Sequence, residues 1–169
     1  FIVSAQVPRD WSPAGVQKMG RIRNEFARLP HVKNVTLSYE IPNGNNGGQR
    51  GIYRFGTDST QGLAAQVLTS DEHYLSTYQM DLKAGSFLSS SGSIDSSKIV
   101  INEKTVKALG WETNTDAINQ LVKLFGDNTV YSVQGVVSDF HFGTMQQEIA
   151  PIIFLNLTFF TIYIYTWHI

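Results

Sequence analysis

The sequence predicts an α+β fold in which short strands carry most of the order and a few helices are interspersed among them. Three stretches predict it. Ser12-Pro13, followed by Val16, Met19, Ile22, Phe26 and Leu29 at three- and four-residue spacing, is a capped amphipathic helix. Lys98-Ile-Val-Ile101 is a short buried strand that runs into a second helix, Glu103 to Leu109, capped by Asn102 and stopped by Gly110. Val130 to Leu155 reads as a strand, an aromatic connection through Phe140-His141-Phe142-Gly143, and a second buried strand after Ala150-Pro151 resets the backbone.

The remaining elements follow in order. Phe1 to Val7 is apolar and β-branched, a first strand, and Pro8 to Trp11 turns the chain. Pro30 helps to end the first helix. Val35, Leu37, Tyr39 and Ile41 alternate with polar residues, so a strand is expected there and the first unit is strand, helix, strand. Pro42 to Gly51 is loop by composition. Its glycines lack the spacing of a phosphate cradle, and a hairpin tip is the better reading. Ile52 to Thr57 and Leu63 to Thr69 are two further strands. Ser70 or Asp71 caps a short helix, Glu72 to Gln79, and Met80 to Phe87 is extended with a glycine turn. Ser89 to Ser93 is a small-residue linker and marks a subdomain boundary. Trp111 is placed to cover the end of the second helix. Leu121 to Phe125 precedes a hairpin turn at Gly126-Asp-Asn. Phe159 to Ile169 is a final strand that must return to an earlier sheet.

With 169 residues the chain can bury a core as one domain or two small lobes. Charged residues make up 16%, below the roughly 25% of an average globular protein, and the net charge of −1 gives no case for nucleic acid. The cluster Lys18, Arg21, Arg23 and Arg28 reads as the wet face of a helix. There is no cysteine, which excludes a disulfide or a thiolate metal site. No run reaches the roughly 20 apolar residues of a membrane span. The chain begins at Phe1 without an initiator Met or signal peptide, as expected of a piece of a longer protein.

No catalytic, cofactor-binding or metal-binding residue is predicted. His31, His73, His141 and His168 never fall at zinc-ligand spacing, and no nucleophile elbow or Walker A sequence is present. Asp139 and His141 are the one acid–histidine neighbourhood within a defined motif, and a strand end satisfying its own backbone is the preferred explanation. Asp71-Glu72 look like helix-start acids rather than a glycosidase pair.

Three pieces in register resemble one family. They are Asp71-Glu-His-Tyr-Leu-Ser-Thr-Tyr-Gln-Met-Asp-Leu-Lys-Ala-Gly-Ser-Phe87, Ile99-Val-Ile-Asn-Glu-Lys-Thr-Val-Lys-Ala-Leu-Gly-Trp111, and Val133-Gln-Gly-Val-Val-Ser-Asp-Phe-His-Phe142 with Ala150-Pro-Ile-Ile-Phe-Leu155. The last is similar to the family's central hairpin. Together they resemble the MacB-like periplasmic core domain of FtsX-type ABC transporter permeases, in the versions found in Bacteroidetes-type bacteria. Asn119 and Gln79 stand where the family usually has glycine, and Ser86 where it has arginine.

The resemblance implies two lobes. A Porter-like β-α-β sheet lobe would take 1–88 plus 158–169, and an inserted, mainly β, Sabre-like lobe would take 89–157. It implies a non-catalytic domain without cofactor, on the periplasmic side of the inner membrane, tethered by transmembrane helices absent from this sequence. There it would transmit ATP-driven motion for export or signalling. Implied partners are a second permease copy, a cytoplasmic ATPase subunit, and a periplasmic adaptor or cargo protein, with no nucleic acid. The alternative from composition is a secreted glycan- or peptide-binding module using Trp11, Tyr53 and Trp111 as an aromatic platform. A third, an enzyme, would depend on Asp139 or His141.

Overall fold

The structure, a computed structural model, describes residues 12–40, 48–89, 96–141 and 148–157, and residues 2, 4 and 10 besides. The strands expected over 1–7 and 159–169, most of the 42–51 loop and nearly all of the 89–93 linker lie outside the described residues.

The first helix, α1 (Pro13–Ala27), begins as its sequence requires. Ser12 is extended, and its hydroxyl accepts from Gly15 N at 3.1 Å with Pro13 in the first turn. After it come β1 (Gln49–Arg54), a single 3-10 turn (Ser59–Gln61), β2 (Leu63–Ser70), α2 (Tyr74–Tyr78), β3 (Leu82–Gly85), β4 (Lys98–Asn102), α3 (Glu103–Ala108), β5 (Leu121–Leu124), β6 (Val130–Val137) and β7 (Ile152–Asn156).

The strands form one sheet in the order β3-β6-β4-β7-β2-β1-β5, and β5 pairs again with β6. The path β6-β4-β7-β2-β1-β5 therefore closes on itself as a small barrel, and β3 is left flanking it. Strand β6 supports three neighbours by dividing one edge. Val130 to Ser132 face β5, and Gly135 to Val137 face β3. Its other edge runs parallel to β4. At the β3–β6 contact the backbones nearly touch. A Cβ on Gly135 would lie 2.1 Å from Ser86 O, and one on Gly85 would lie 2.1 Å from Gln134 O. Only glycine permits that approach.

Alternation along the strands separates two cores. Ile52, Val67, Ile101, Val133, Ile153 and Leu155 fill the inside, where Val106, Leu109 and Trp111 from α3 and its exit join them. Leu68, Val100, Val137, Ile152 and Phe154 point outward and are covered by Tyr74, Leu88 and Phe140. Phe154 is the centre of that outer layer, with ring centroids 5.6 Å from Tyr74, 5.5 Å from Phe87 and 6.0 Å from Phe140.

One buried side chain joins the elements. Asn102, fully buried, caps α3 by accepting from Thr105 N at 3.1 Å and from the Thr105 hydroxyl at 2.7 Å. The same oxygen accepts from Ile152 N at 2.9 Å, and its amide donates to Ala150 O at 3.0 Å. The start of β7 is thus fixed to the start of α3, fifty positions earlier in the chain.

Two expectations are corrected. β6 and β7 are not a hairpin, because β4 lies between them, parallel to β6 and antiparallel to β7. The connection 138–151 is therefore a crossover, and the alternation of two apolar runs held no information about which neighbour each would choose. Of the strand expected over 35–41, the described residues 35–40 form no regular strand. Over 37–39 it makes an isolated antiparallel bridge, Ser38 to Ser70, with Tyr39 N donating to Thr69 O and Asp71 N to Leu37 O. Side chains complete its bonding where a ladder would have continued. The β5–β6 hairpin at Gly126, the Asn102 cap and the Gly110 stop agree with expectation.

Asn102→Ala removes the side-chain acceptor of Thr105 N and one of the two acceptors of Ile152 N, the other being the Thr105 hydroxyl at 2.9 Å. We expect a loss of about 3 kcal/mol in urea unfolding, with Asn102→Asp recovering part of it because the acceptor oxygen survives.

Candidate functional site

Among the described residues no group of three or more His, Asp or Glu is placed to hold a metal ion. Asp139 is not paired with His141. Its carboxylate accepts from Lys104 N at 2.8 Å, a second cap on α3 supplied from across the chain. The aromatic platform does not assemble either. Trp111 is 7% exposed with the Arg54 guanidinium above its ring at 5.6 Å, Tyr53 packs instead on Phe125 at 5.3 Å, and Trp11 lies outside the described residues.

What the structure presents is a helix face and the device that holds it. Along α1 the residues Ala14, Ile22, Phe26 and Leu29 line an open apolar groove edged by Lys18, Arg21 and Glu25. Phe26 is 47% exposed, Leu29 49% and the nearby Val32 38%. The sequence reading made this stripe core and the basic residues a wet face. The structure leaves much of the stripe open. Of the basic residues, Arg28 pairs with Glu25 at 2.8 Å, while Lys18 and Arg21 border the apolar groove.

Arg23 has a different task. It leaves the helix on the opposite side and meets Asp71 at 2.8 Å, with Glu72 at 3.6 Å. Asp71 stands just past β2 and is 5% exposed. Besides Arg23 it accepts from the Thr36 hydroxyl at 2.6 Å, Leu37 N at 2.9 Å and His73 N at 3.0 Å. One carboxylate therefore gathers α1, the extended 36–38 segment and the approach to α2. The sequence marks Asp71 only as a helix-start acid. Its donors at 23, 36 and 37 are too distant in sequence for any periodicity to reveal them.

Glu40, two residues beyond the bridge, is the other buried acid of this corner at 7% exposed. Its carboxylate accepts from Thr69 N at 2.7 Å. Burial pushes it up to about 7, opposed by the Thr69 amide hydrogen bond. It also lies close enough to Tyr74 that, after burial and Tyr78, its charge raises the Tyr74 hydroxyl.

The two partners of the Arg23–Asp71 pair differ in what their loss leaves behind. Asp71→Ala strands two main-chain N–H groups, a hydroxyl and a guanidinium, and we expect about 3 kcal/mol of destabilisation. Arg23→Ala leaves Asp71 with three donors, and we expect about 1 kcal/mol. Equal losses in chemical denaturation would refute the ranking.

The family model described as the MacB-like periplasmic core domain matches residues 3–167. Comparison with curated proteins by sequence finds no relative. Three solved structures share the fold. A domain of a permease protein from Porphyromonas gingivalis is 16% identical, with 78% of this chain and 53% of that one covered at a TM-score of 0.53. The extracellular domain of the noncanonic ABC-type transporter YknZ from Gram-positive bacteria is 13% identical, with 81% and 61% covered at 0.54. The periplasmic region of MacB from Actinobacillus actinomycetemcomitans is 16% identical, with 81% and 54% covered at 0.55. The chain spans 53–61% of the length of these solved domains. It shares a mixed α/β fold with these solved domains, and with a family match running almost from end to end the chain belongs to the MacB-like periplasmic core domain family.

Proposed function

We propose that this chain is a non-catalytic, extracytoplasmic part of an ABC transporter permease that passes ATP-driven motion across the membrane for export or signalling. The observation that carries the reading is the family match over 3–167. The architecture suits it. A barrel whose strands are cross-linked by buried side chains moves as a body, and an exposed helix face tied to it by ion pairs and hydrogen bonds offers a place to push. In this reading a Porter-like lobe takes 1–88 and 158–169 and a Sabre-like lobe takes 89–157, a division that runs between strands paired in one sheet, β1 with β5, β2 with β7 and β3 with β6. The partners are a second permease copy, a cytoplasmic ATPase subunit, and an adaptor or cargo protein on the periplasmic side.

Contact with the rest of the permease's extracytoplasmic part is best placed on the α1 face. Phe26, Leu29 and Val32 are exposed there, with Lys18 and Arg21 beside them, and related solved domains are considerably longer than this chain. A contiguous apolar patch rimmed by charge is the usual form of an interaction surface.

Two experiments test these assignments. These 169 residues hold no cysteine, so Lys107→Cys, at an exposed helix position, adds a thiol whose labelling is read against the unsubstituted full-length protein. In the full-length protein of intact cells it should react with a membrane-impermeant maleimide. Labelling only after lysis would refute the extracytoplasmic placement. For the helix face, Phe26→Asp with Leu29→Asp should leave the unfolding free energy of the chain within about 0.5 kcal/mol and abolish permease activity. Retained activity would exclude the face as the contact.

A further inference from the structure

Glu40 occupies a position in the sheet that main chain ordinarily fills. Along the same edge of β2, Val67 N donates to Gly48 O, and the Thr69 carbonyl accepts from Tyr39 N. Between these two main-chain bonds lies Thr69 N, whose acceptor is the Glu40 carboxylate at 2.7 Å. Here a side chain supplies the acceptor that main chain supplies on either side.

The surroundings of that carboxylate are neutral. Among the described residues no cation pairs with it. From β2 it meets the uncharged Thr69. From α2 it faces the phenol of Tyr74, backed by Tyr78 at a ring distance of 4.5 Å. The other acid of the corner, Asp71, already has the guanidinium of Arg23. The hydroxyls of Thr69, Ser70 and Tyr74 are buried without a hydrogen-bond partner among the described residues. A charge held only by backbone amides, those of Thr69 and of Glu40 itself among the described residues, lacks the cation that normally compensates burial.

We propose that Glu40 is a proton-operated latch: with its carboxyl protonated the 36–40 segment is seated along β2, and ionisation loosens that seat. The effect reaches α1, because Thr36 and Leu37 of the same segment hold Asp71, and Asp71 holds Arg23. The proposal does not depend on the function proposed above, since it concerns the stability of one corner of the fold.

The sign follows from linkage. Burial carries Glu40 from its ordinary 4.5 up to about 7. Between those values the seated state binds a proton that the released state has lost, so the seat weakens as pH rises through the window and is level above it. Amide hydrogen exchange of Tyr39, Thr69 and Asp71, corrected for the intrinsic rate, should lose protection about tenfold per pH unit between pH 5 and 7. Glu40→Gln keeps an acceptor oxygen for Thr69 N and should flatten that slope. The same slope in the variant would overturn the proposal. A carbon-13 NMR titration of the unsubstituted chain decides the matter should the variant fail to fold. A Glu40 carboxyl midpoint near 7 supports the latch, and one below 5 refutes it.

Discussion

The constraint on which the rest of the structure depends is the single oxygen of Asn102 that serves a helix and a strand together. α3 is only six residues long, too short to hold itself by propensity. β7 begins directly after a proline-containing connection whose register its own sequence leaves open. Tying Thr105 N and Ile152 N to one buried acceptor settles both. With Ile152 fixed, β7 runs beside β2 in parallel register from Gln66–Ile152 to Ser70–Asn156. That alignment divides Ile153 and Leu155 into the inner core from Ile152 and Phe154 in the outer one. A shift by one residue would exchange the two sets, which is why a polar side chain is worth burying here.

Local signals were legible in the sequence, and partner choice was not. Ser12-Pro13, Asn102 and Gly110 act at positions that cap chemistry predicts, since each satisfies its own neighbours. Gln79 and Asn119 are instructive because both adopt left-handed backbone, with φ of 54° and 64°, although neither is glycine. Asparagine tolerates that geometry better than glutamine does. The β6-β4-β7 order was invisible for a different reason. β7 is apolar on two faces, and β6 alternates from Val130 to Gln134 but is buried on both faces from Gly135 to Val137, the part beside β4 and β3. Such runs carry no alternation from which to read a neighbour.

The corner where α1 meets the barrel was the least legible, and it holds the residues with most bearing on function. Asp71 and Glu40 are nearly equally buried, yet their compensation is opposite. Among the described residues Asp71 has four donors, one of them a guanidinium, and Glu40 has only backbone amides, those of Thr69 and of Glu40 itself. The first is a permanent fastening. The second is conditional on its proton, and the two are joined through residues 36–40, so the strength of the fastening at α1 depends on the state of the latch.

That dependence gives the exposed face of α1 a mechanical meaning. The helix has little packing against the barrel, and its apolar groove faces away from it. Among the described residues, Arg23 and the segment held by Asp71 join it to the body. A helix fixed by polar contacts at one side and apolar at the other will follow whatever packs on the apolar side, within the play that the polar side allows. The barrel below is closed and its strands are pinned by Asn102, so it has far less play. Motion arriving at α1 is then resisted at the Asp71 corner rather than absorbed in the sheet. This is the division of stiffness that the proposed passage of force would use.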